Sequence, residues 1–395
     1  MMNQNFGDGF EFLEDRVLLA GNVTAAVIGG VLDFEGDAAN NSVVVKELAN
    51  GDVTVTGLAN TTISFNGHTY SSYTFKAADV AGLTSITGDL GKGNDSLVLN
   101  GLKFSGDFTI SGNDGNDVIT ALNCQMGNVN INGGAGNNVE SIVGGSYDGL
   151  DISNGVGNDA VGIANTHVKY SVFIDNGDGN NATSVVNTQI DSQENDTSST
   201  SLGIRGGAGI DVITLNHVTT LLSETAIDMG DGNNVLNVLN SSLSNELEFT
   251  SGTGNDFINI FNVTTNELDD SYTGDGNDVV TITNVKVLLG STDDSGNDSD
   301  IDLGNGNDSL VIVNSNFAGN LELFGGSGND FIGLYASQVG GVFSADLGAG
   351  TNLFAATDNN FIGGGSINGG PNTDIALLRR NHGLGLTMSG IERFI

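Results

Sequence analysis

A five-residue motif, Gly-x-Gly-Asn-Asp, followed by a short apolar run, recurs with a period of about 22 residues from residue 90 onward. With the last motif residue as position 0, the steps between successive copies are 22, 21, 21, 22, 30, 23, 22, 22, 30, 22, 22 and 22. Position 0 is occupied by Asp95, Asp117, Asn138, Asp159, Asn181, Asp211, Asn234, Asp256, Asp278, Asp308, Asp330, Asn352 and Asp374. A fixed period in this range is typical of a solenoid, in which each repeat buries its apolar face against its neighbours.

Glycine and asparagine occupy the turn of each copy. Glycine stands at position −2 in every copy but the last and at −4 in every copy but one, and alternate glycines let the chain reverse with positive φ. Asn usually precedes position 0, and a second Asn column lies at position +6: Asn123, Asn165, Asn187, Asn240, Asn262, Asn284 and Asn314. Runs rich in Val, Ile and Thr lie between these turns and are strand-like. The pattern predicts an all-β fold, a right-handed parallel β-helix (β-solenoid) with about 22 residues per coil.

The regularity of the repeat divides the chain into three segments. We expect residues 1–21 to be an N-terminal segment that serves in export or assembly, or caps the first coil. Residues 22–90 contain strand-like runs and an altered motif copy at residues 36–41, so they are expected to form irregular first coils. Residues 91–395 are expected to form a regular solenoid of about thirteen coils. Polar insertions centred on residues 191–197 and 291–298 account for the two longer steps between copies.

The charge balance narrows the range of partners. The 395 residues carry 48 acidic and 11 basic side chains, a formal net charge of −37. Such a surface repels nucleic-acid phosphates and anionic lipids, and it requires screening by salt or bound cations. No apolar stretch is long enough to span a bilayer. Cys124 is the single cysteine, so it cannot form an intramolecular disulfide and is expected to pack as a small apolar side chain.

The segment Leu13-Glu14-Asp15-Arg16-Val17-Leu18-Leu19 resembles the Leu-Glu-Pro-Arg-x-Leu-Leu segment near the N-termini of large surface and exported proteins of planctomycete bacteria. Asp15 stands where that pattern has Pro. The Gly-x-Gly-Asn-Asp coils are also similar to the downstream regions of such proteins. The resemblance implies an extracellular or cell-surface location, and it does not specify an activity.

Two motif copies, at residues 206–213 and 325–332, fit the pattern Gly-Gly-x-Gly-x-Asp-x-apolar and resemble the calcium-binding β-solenoids of repeats-in-toxin proteins. In that family, turn carbonyls and Asp carboxylates hold Ca²⁺ between coils, and such hard oxygen ligands suit this ion. The family has two such turns per coil, whereas this chain has one, and four copies here have Asn at position 0. The resemblance implies a row of calcium sites at Asp95, Asp117, Asp159, Asp211, Asp256, Asp278, Asp308 and Asp330. A purely hydrogen-bonded ladder of Asn and Asp is the alternative.

These observations favour an extracellular structural protein, a subunit that stacks head-to-tail into a fibre or surface coat. The expected contact joins the acidic N-terminal residues Asp8, Glu11, Glu14 and Asp15 to the basic C-terminal end, Arg379, Arg380 and Arg393. Uncovered solenoid ends invite such stacking, and contacts that do not close generate filaments. The alternative at this end is a cap formed by residues 391–395.

Two other functions stay open, a non-polymerising adhesin or binding rod with glycan or matrix contacts, and a polysaccharide-active enzyme. Tryptophan is absent, the basic residues are few and the four histidines are scattered, so we expect no enzymatic activity. No acid cluster is expected outside the repeated ladder and the second insertion.

Overall fold

The computed structural model describes residues 21–192, 200–288 and 299–394. The acidic residues Asp8, Glu11, Glu14 and Asp15 and most of the two insertions lie outside these ranges. Most strands pair in parallel with one strand in the coil before and one in the coil after. The predicted all-β parallel solenoid is confirmed, and its coils have the predicted length of about 22 residues. One short helix, Ala77–Val80, occurs in the described ranges.

Each regular coil has three faces. The strand of face A follows position 0 directly, because the apolar run of the motif begins there. Face B has a strand of about two residues just after position +6, and face C has a strand that ends shortly before the next motif. Equivalent residues pair in register along the rod, with Val139 opposite both Val118 and Ala160. The coils therefore stack at the spacing of parallel strands, about 4.8 Å.

Face A consists mainly of five-residue strands. They are Ser96–Asn100, Ala160–Ala164, Ala182–Val186, Val212–Asn216, Val235–Leu239, Phe257–Phe261, Val279–Thr283, Ser309–Val313, Phe331–Tyr335, Leu353–Thr357, Ile375–Arg379 and the short Arg393–Phe394. Two long strands, Val118–Gly134 and Val139–Asn154, start on face A and run through all three faces.

Faces B and C have shorter strands. Those of face B are His167–Val168, Gln189–Ile190, Thr219–Thr220, Ser242–Thr250 (which continues onto face C), Thr264–Leu268, Lys286–Val287, Asn316–Phe317, Gln338–Val339, Asn360–Phe361 and His382–Gly383. Those of face C are Ser85–Asp89, Asp107–Ser111, Val172–Asp175, Thr200–Arg205, Glu224–Asp228, Ser271–Tyr272, Asp300–Asp302, Leu321–Phe324, Phe343–Asp346, Gly365–Asn368 and Leu386–Ser389.

Antiparallel hairpins cover the N-terminal end of the rod, where we expected irregular coils. Val31–Glu35 and Ser42–Glu47 belong to the first coil, because they pair in parallel with strands of faces C and A. Asn22–Ile28 and Val53–Gly57 then run antiparallel along their other edges. The remaining strands of this region are Thr62–Phe65, His68–Tyr70 and Ser72–Phe75.

The core is a narrow apolar column inside the coils. Alternate residues of each face A strand point inward, such as Leu97 and Leu99, and they are almost fully buried. Near the C-terminal end the column is aromatic, with the ring centres of Phe343 and Phe361 4.9 Å apart. Cys124 is buried in the core, as its isolation in the sequence predicted.

The Asn column at position +6 forms the corner after face A. Its members have φ between 49° and 55°, a left-handed conformation that Asn tolerates better than most residues with a side chain. Their amides bond from coil to coil, and Asn262 Nδ2 donates to Asn240 Oδ1 at 2.9 Å. In the other six coils position +6 also has a positive φ, and its residues are Gly101, Gly144, His217, Ala336, Asp358 and Arg380.

Candidate metal centre

The side chains at position 0 form one continuous row of hydrogen bonds, the position-0 ladder. In each coil Oδ1 accepts the backbone N–H of position 0 in the preceding coil, with N···O distances of 2.6 to 3.0 Å. The ladder begins at Asn41, in the altered motif copy, and ends at Asp374, whose own N–H donates to Glu392 Oε2. Its members are at most 3% exposed. The ladder therefore fixes each turn to the next from inside the rod.

Where position 0 is Asn, the amide nitrogen binds carbonyl oxygens of the glycine turn. Asn138 Nδ2 donates to the carbonyls of Gly134 and Gly136, at 3.2 and 3.4 Å. Asn181 Nδ2 also donates to the carbonyl of Gly206 in the next coil, at 3.1 Å. The amide nitrogen of an Asn at position 0 is thus surrounded by carbonyl oxygens. They belong to positions −4 and −2 of its own coil and to position −5 of the next coil.

Where position 0 is Asp, the second carboxylate oxygen takes the place of that nitrogen. Asp and Asn have the same shape, and the same Oδ1 bond holds both, so Oδ2 is directed at the same carbonyl oxygens. These Oδ2 atoms are buried and have no hydrogen-bond partner among the described residues: Asp95, Asp117, Asp159, Asp211, Asp256, Asp278, Asp308, Asp330 and Asp374. Buried acceptors that face one another are unfavourable unless a proton or a cation lies between them.

Four of these coils have glycine at position −5, next to Oδ2. A Cβ added at Gly112 would lie 2.5 Å from Asp117 Oδ2 and 2.5 Å from the carbonyl oxygen of Gly133 in the next coil. The equivalent glycines beside Asp211, Asp330 and Asp374 are Gly206, Gly325 and Gly369. A carboxylate oxygen and a carbonyl oxygen therefore flank the same small space in each of these coils.

Burial raises the pKa of every Asp in the ladder. The pKa is about 7 for Asp95 and Asp308, and about 6 for Asp117, Asp211, Asp278 and Asp330. Besides burial, the carboxylates of Asp278 and Asp330 raise the pKa of Asp308, while the N–H of Asp278 lowers it. Ionisation of these buried carboxyls is thus less favourable than that of an exposed Asp.

This donor set fits a calcium ion. Carboxylate and carbonyl oxygens that converge on one point are the ligands Ca²⁺ prefers, and in the Asn coils an N–H donor occupies that point. All eight Asp residues predicted as ligands lie in the ladder. Asp374 is a ninth member that the sequence-based ligand set omitted, although its place in the column was visible. Calcium binding itself stays a prediction.

The Asn residues at position −1 form a second row of hydrogen bonds, on the exposed side of the same turn. Asn at position −1 accepts, through Oδ1, the backbone N–H of position −1 in the following coil. Asn307 donates to Asn277 Oδ1 at 3.0 Å, and Asn329 donates to Asn307 Oδ1 at 2.9 Å. These bonds run in the opposite direction to those of the position-0 ladder, so each turn is held from both sides.

One core carboxylate lies beside the ladder. Glu140 occupies an inward position that is apolar in most coils, and Asn154 Nδ2 donates to its Oε2 at 3.2 Å. Glu140 Oε1 and Asn154 Oδ1 are buried without a partner in the described structure. Burial raises the pKa of Glu140 to about 8. A proton on Oε1 could be donated to Asn154 Oδ1, so both residues are satisfied only when Glu140 is neutral.

Carboxylates also gather on face C, where we expected no cluster outside the second insertion. Carboxylate oxygens of Asp269, Asp270 and Asp300 lie within 4.8 Å of one another. Burial, followed by a hydrogen bond with Asp300, raises the pKa of Asp269 to about 8. That expectation was wrong, because stacking brings Asp300 beside Asp270, 30 positions earlier in the sequence.

Comparison with known proteins gives little further information. No protein-family model matches the chain, and no curated protein matches it. The crystal structure of a hyperactive, Ca²⁺-dependent, β-helical antifreeze protein from an Antarctic bacterium is similar over 72% of this chain and 79% of that chain. The identity is 21% and the TM-score 0.43. Neither the fold nor the site described above depends on this similarity.

Among the described residues, no helix has both the length and the apolar character that crossing a membrane would require.

Proposed function

We propose that this protein is an extracellular structural protein, a calcium-stabilised β-solenoid that assembles end to end into a fibre or surface coat. The observation that carries the proposal is the buried Oδ2 of each ladder Asp, directed at carbonyl oxygens that the Asn members bind with an amide. Bound calcium would supply positive charge between these oxygens. Ligand binding that favours the folded state stabilises it, and here it would join neighbouring coils.

Asp117, Asp211 and Asp330 are the strongest candidate ligands. Each has glycine at position −5, and the carbonyls of its turn supply the remaining oxygens. Asp211 and Asp330 also have the complete Gly-Gly-x-Gly-x-Asp sequence. One carboxylate per turn is a low ligand charge, so we expect dissociation constants of about 0.1 to 1 mM, as in extracellular calcium modules. That range suits a protein that works outside the cell.

The charge distribution supports the same role. Asp256, Asp278, Asp308 and Asp330 stand in four consecutive coils, with no Asn between them. Carboxylates one coil apart raise one another's pKa, as they do for Asp308. A cation between the coils would remove that repulsion and the charge-burial penalty together. The long acidic rod would then gain rigidity without disulfides.

End-to-end assembly is supported by the C-terminal end of the described rod. Strands His382–Gly383 and Leu386–Ser389 each pair with one neighbour, and Leu384 and Phe394 are 64% and 57% exposed beside them. Unpaired strand edges with exposed apolar side chains favour pairing with another chain. Arg380 binds Asp358 through two hydrogen bonds of 2.5 and 2.6 Å. The exposed Arg379 and Arg393 are therefore the basic groups we propose for the contact.

In this proposal the protein is not an enzyme, and no residue is assigned a catalytic role. The proposed sites need calcium at roughly millimolar concentration, which is typical of extracellular calcium modules. We therefore propose a location at the cell surface or outside the cell.

The test combines calorimetric calcium titration with negative-stain microscopy of the same sample. We expect several equivalents of Ca²⁺ to bind, the melting temperature to rise, and unbranched fibres with an axial repeat near one rod length. Magnesium at equal concentration is the control, because its small octahedral shell suits these carbonyl-rich turns poorly. Absence of calcium binding would overturn the metal assignment. Single rods under both conditions would overturn end-to-end assembly and favour a binding rod.

A further inference from the structure

Face A is almost free of charge. Each of its thirteen strands from Ser96–Asn100 to Ile375–Arg379 has three outward positions, and all of them lie within the described residues. Arg379, at one end, is the only charged residue among them. The others are Val, Ala, Leu, Ile, Phe and Tyr interspersed with Ser, Thr, Asn and Gly. Phe257 is 41% exposed and Phe261 40%. A chain with a net charge of −37 therefore has one long neutral surface.

Face C shows the opposite composition. Acidic side chains occupy outward positions along most of its length: Asp89, Asp107, Asp151, Asp175, Glu224, Asp228, Glu248, Asp300, Asp302, Glu322 and Asp346. Because both faces are formed by parallel strands that pair in register, the difference in charge is one of sequence and not of folding requirement. Two copies that approached through face C would bring like charges together, whereas face A carries almost no charge.

The dimensions of face A match a stable protein interface. Thirteen strands at about 4.8 Å and five residues of about 3.3 Å give a surface of roughly 60 by 16 Å, or about 960 Å². A standard interface buries about 800 Å² on each partner, so face A is large enough to form one. Parallel strands in register make the surface regular, so a second sheet can pack on it.

Large and small side chains are segregated along face A. Phe257 and Phe261 form a ridge on one strand, and the strands Ala160–Ala164 and Ala182–Val186 carry only Ala, Gly, Ser and Val outward. Two copies in the same direction would place aromatic ring over aromatic ring. In an antiparallel pair, a two-fold axis near the strand Val212–Asn216 places each ridge over the small residues of the other copy. In such an isologous contact each copy contributes the same surface, so association through face A stops at the dimer.

We infer that face A is the interface of a lateral, antiparallel dimer of this chain. The dimer thickens the rod, whereas the end-to-end assembly proposed above lengthens it, so the two contacts are separate. Face A contains none of the ladder Asp residues, and pairing through it requires no calcium. Salt strengthens the dimer, because it screens the repulsion between the two acidic rods.

The test is sedimentation equilibrium combined with small-angle X-ray scattering, with chelator present and at moderate salt. We expect twice the chain mass, the length of one rod and a larger cross-section. Thr214→Glu, near the centre of face A, introduces a buried carboxylate into the interface and should weaken dimerisation at least about tenfold. Ala226→Glu is the matched control, because it adds the same charge at an outward position of face C. Melting temperatures of both variants verify that they fold.

A monomer at all concentrations would overturn the inference, as would a dimer that Thr214→Glu and Ala226→Glu affect equally. A monomer that binds an insoluble polysaccharide, and loses that binding in Thr214→Glu, would assign face A to a glycan instead. Loss of fibres in Arg393→Glu with an intact dimer would separate a failure of end-to-end assembly from a failure of lateral pairing.

Discussion

The carboxylate of Asp330 accepts the backbone N–H of Asp308, one coil earlier, through Oδ1 at 2.9 Å, while its Oδ2 is buried without a partner in the described structure. One side chain thus performs two tasks with two oxygens. The first oxygen fixes the stacking of the coils, and Asn at position 0 does this equally well. The second oxygen distinguishes Asp from Asn, and it is the basis for the calcium proposal.

Asp211→Asn should replace a proposed calcium ligand by an amide that hydrogen-bonds the turn carbonyls. The new amide can donate to the turn carbonyls, as Asn181 and Asn234 do, so the calcium-free protein should gain about 1 to 3 kcal/mol of unfolding free energy. Calorimetric titration should find one calcium equivalent fewer. Asp151→Asn, at an exposed position of face C, is the control and should change neither value. A variant that binds as much calcium as the wild type would exclude Asp211 as a ligand.

The stability of the metal-free protein should fall as pH rises from about 4 to about 7. The ladder pKa values, about 6 to 7 where they are largest, lie above the ordinary Asp value of 3.8, so the folded protein holds more protons than the unfolded chain in this window. Unfolding free energy therefore decreases with pH until these carboxyls are ionised. Urea titrations between these pH values test the slope. A stability that increases from pH 5 to pH 7 without metal would contradict the assigned shifts.

Calcium should reverse this trend. It binds the ionised carboxylate, so its stabilising effect should grow as pH rises through the same window, and binding should release protons. At about 10 mM calcium and a dissociation constant of about 1 mM, each site adds about 1.4 kcal/mol. Calorimetric titration in two buffers of different ionisation enthalpy measures the released protons. Proton release per bound calcium that does not diminish as pH rises above about 7 would argue against carboxylate ligands.

Glu140→Gln should stabilise the protein at alkaline pH. The pKa of Glu140 is raised to about 8, so its carboxyl is neutral at low pH and the wild type loses stability as it ionises. Gln keeps a donor toward Asn154 Oδ1 at every pH, so the difference from the wild type should be small below about pH 4.5, grow as pH rises, and exceed about 1 kcal/mol by about pH 8. Glu322→Gln, on face C, is the control. An equal effect of both substitutions would exclude a specific Glu140–Asn154 pair.

Ala336→Asn should stabilise the rod by roughly 1 kcal/mol, because Ala336 has a φ of 51°, in the left-handed region where a side chain other than that of Asn or Asp is unfavourable. Asn at this position would also extend the amide column of Asn284 and Asn314, which bond to each other in the two preceding coils. Chemical denaturation gives the change in unfolding free energy. Ala226→Asn, in an extended strand, should not stabilise, and a gain of equal size there would refute the explanation.

Much of the fold was predictable because each repeat packs against a copy of itself. The position-0, position −1 and position +6 columns could be read directly from the sequence, since residues one period apart become neighbours when coils stack. Eight of the nine ladder Asp residues were singled out in this way. The environment of the Oδ2 atoms could not be predicted from the sequence, because it depends on how the carbonyls of two successive turns are directed.

Contacts between different columns were also not predictable. Glu140 and Asn154 lie 14 residues apart, at unrelated positions of the repeat, and no period relates them. The antiparallel hairpins of residues 22–75 do not follow the period of the coils, so a repeat-based interpretation expected coils there. The acid cluster of Asp269, Asp270 and Asp300 arises across an insertion that interrupts the period.

The sequence by itself determined the coil, its length, its turn chemistry and the columns that run along the rod, because these depend on contacts between identical positions. Only the tertiary structure decided which columns share a face and point outward. That decision separates the neutral face A from the acidic face C and directs each Asp Oδ2 at carbonyl oxygens. The physical reason is that both properties depend on how residues at different positions of the repeat are brought together within one coil and between neighbouring coils, and the spacing of the repeat relates only equivalent positions.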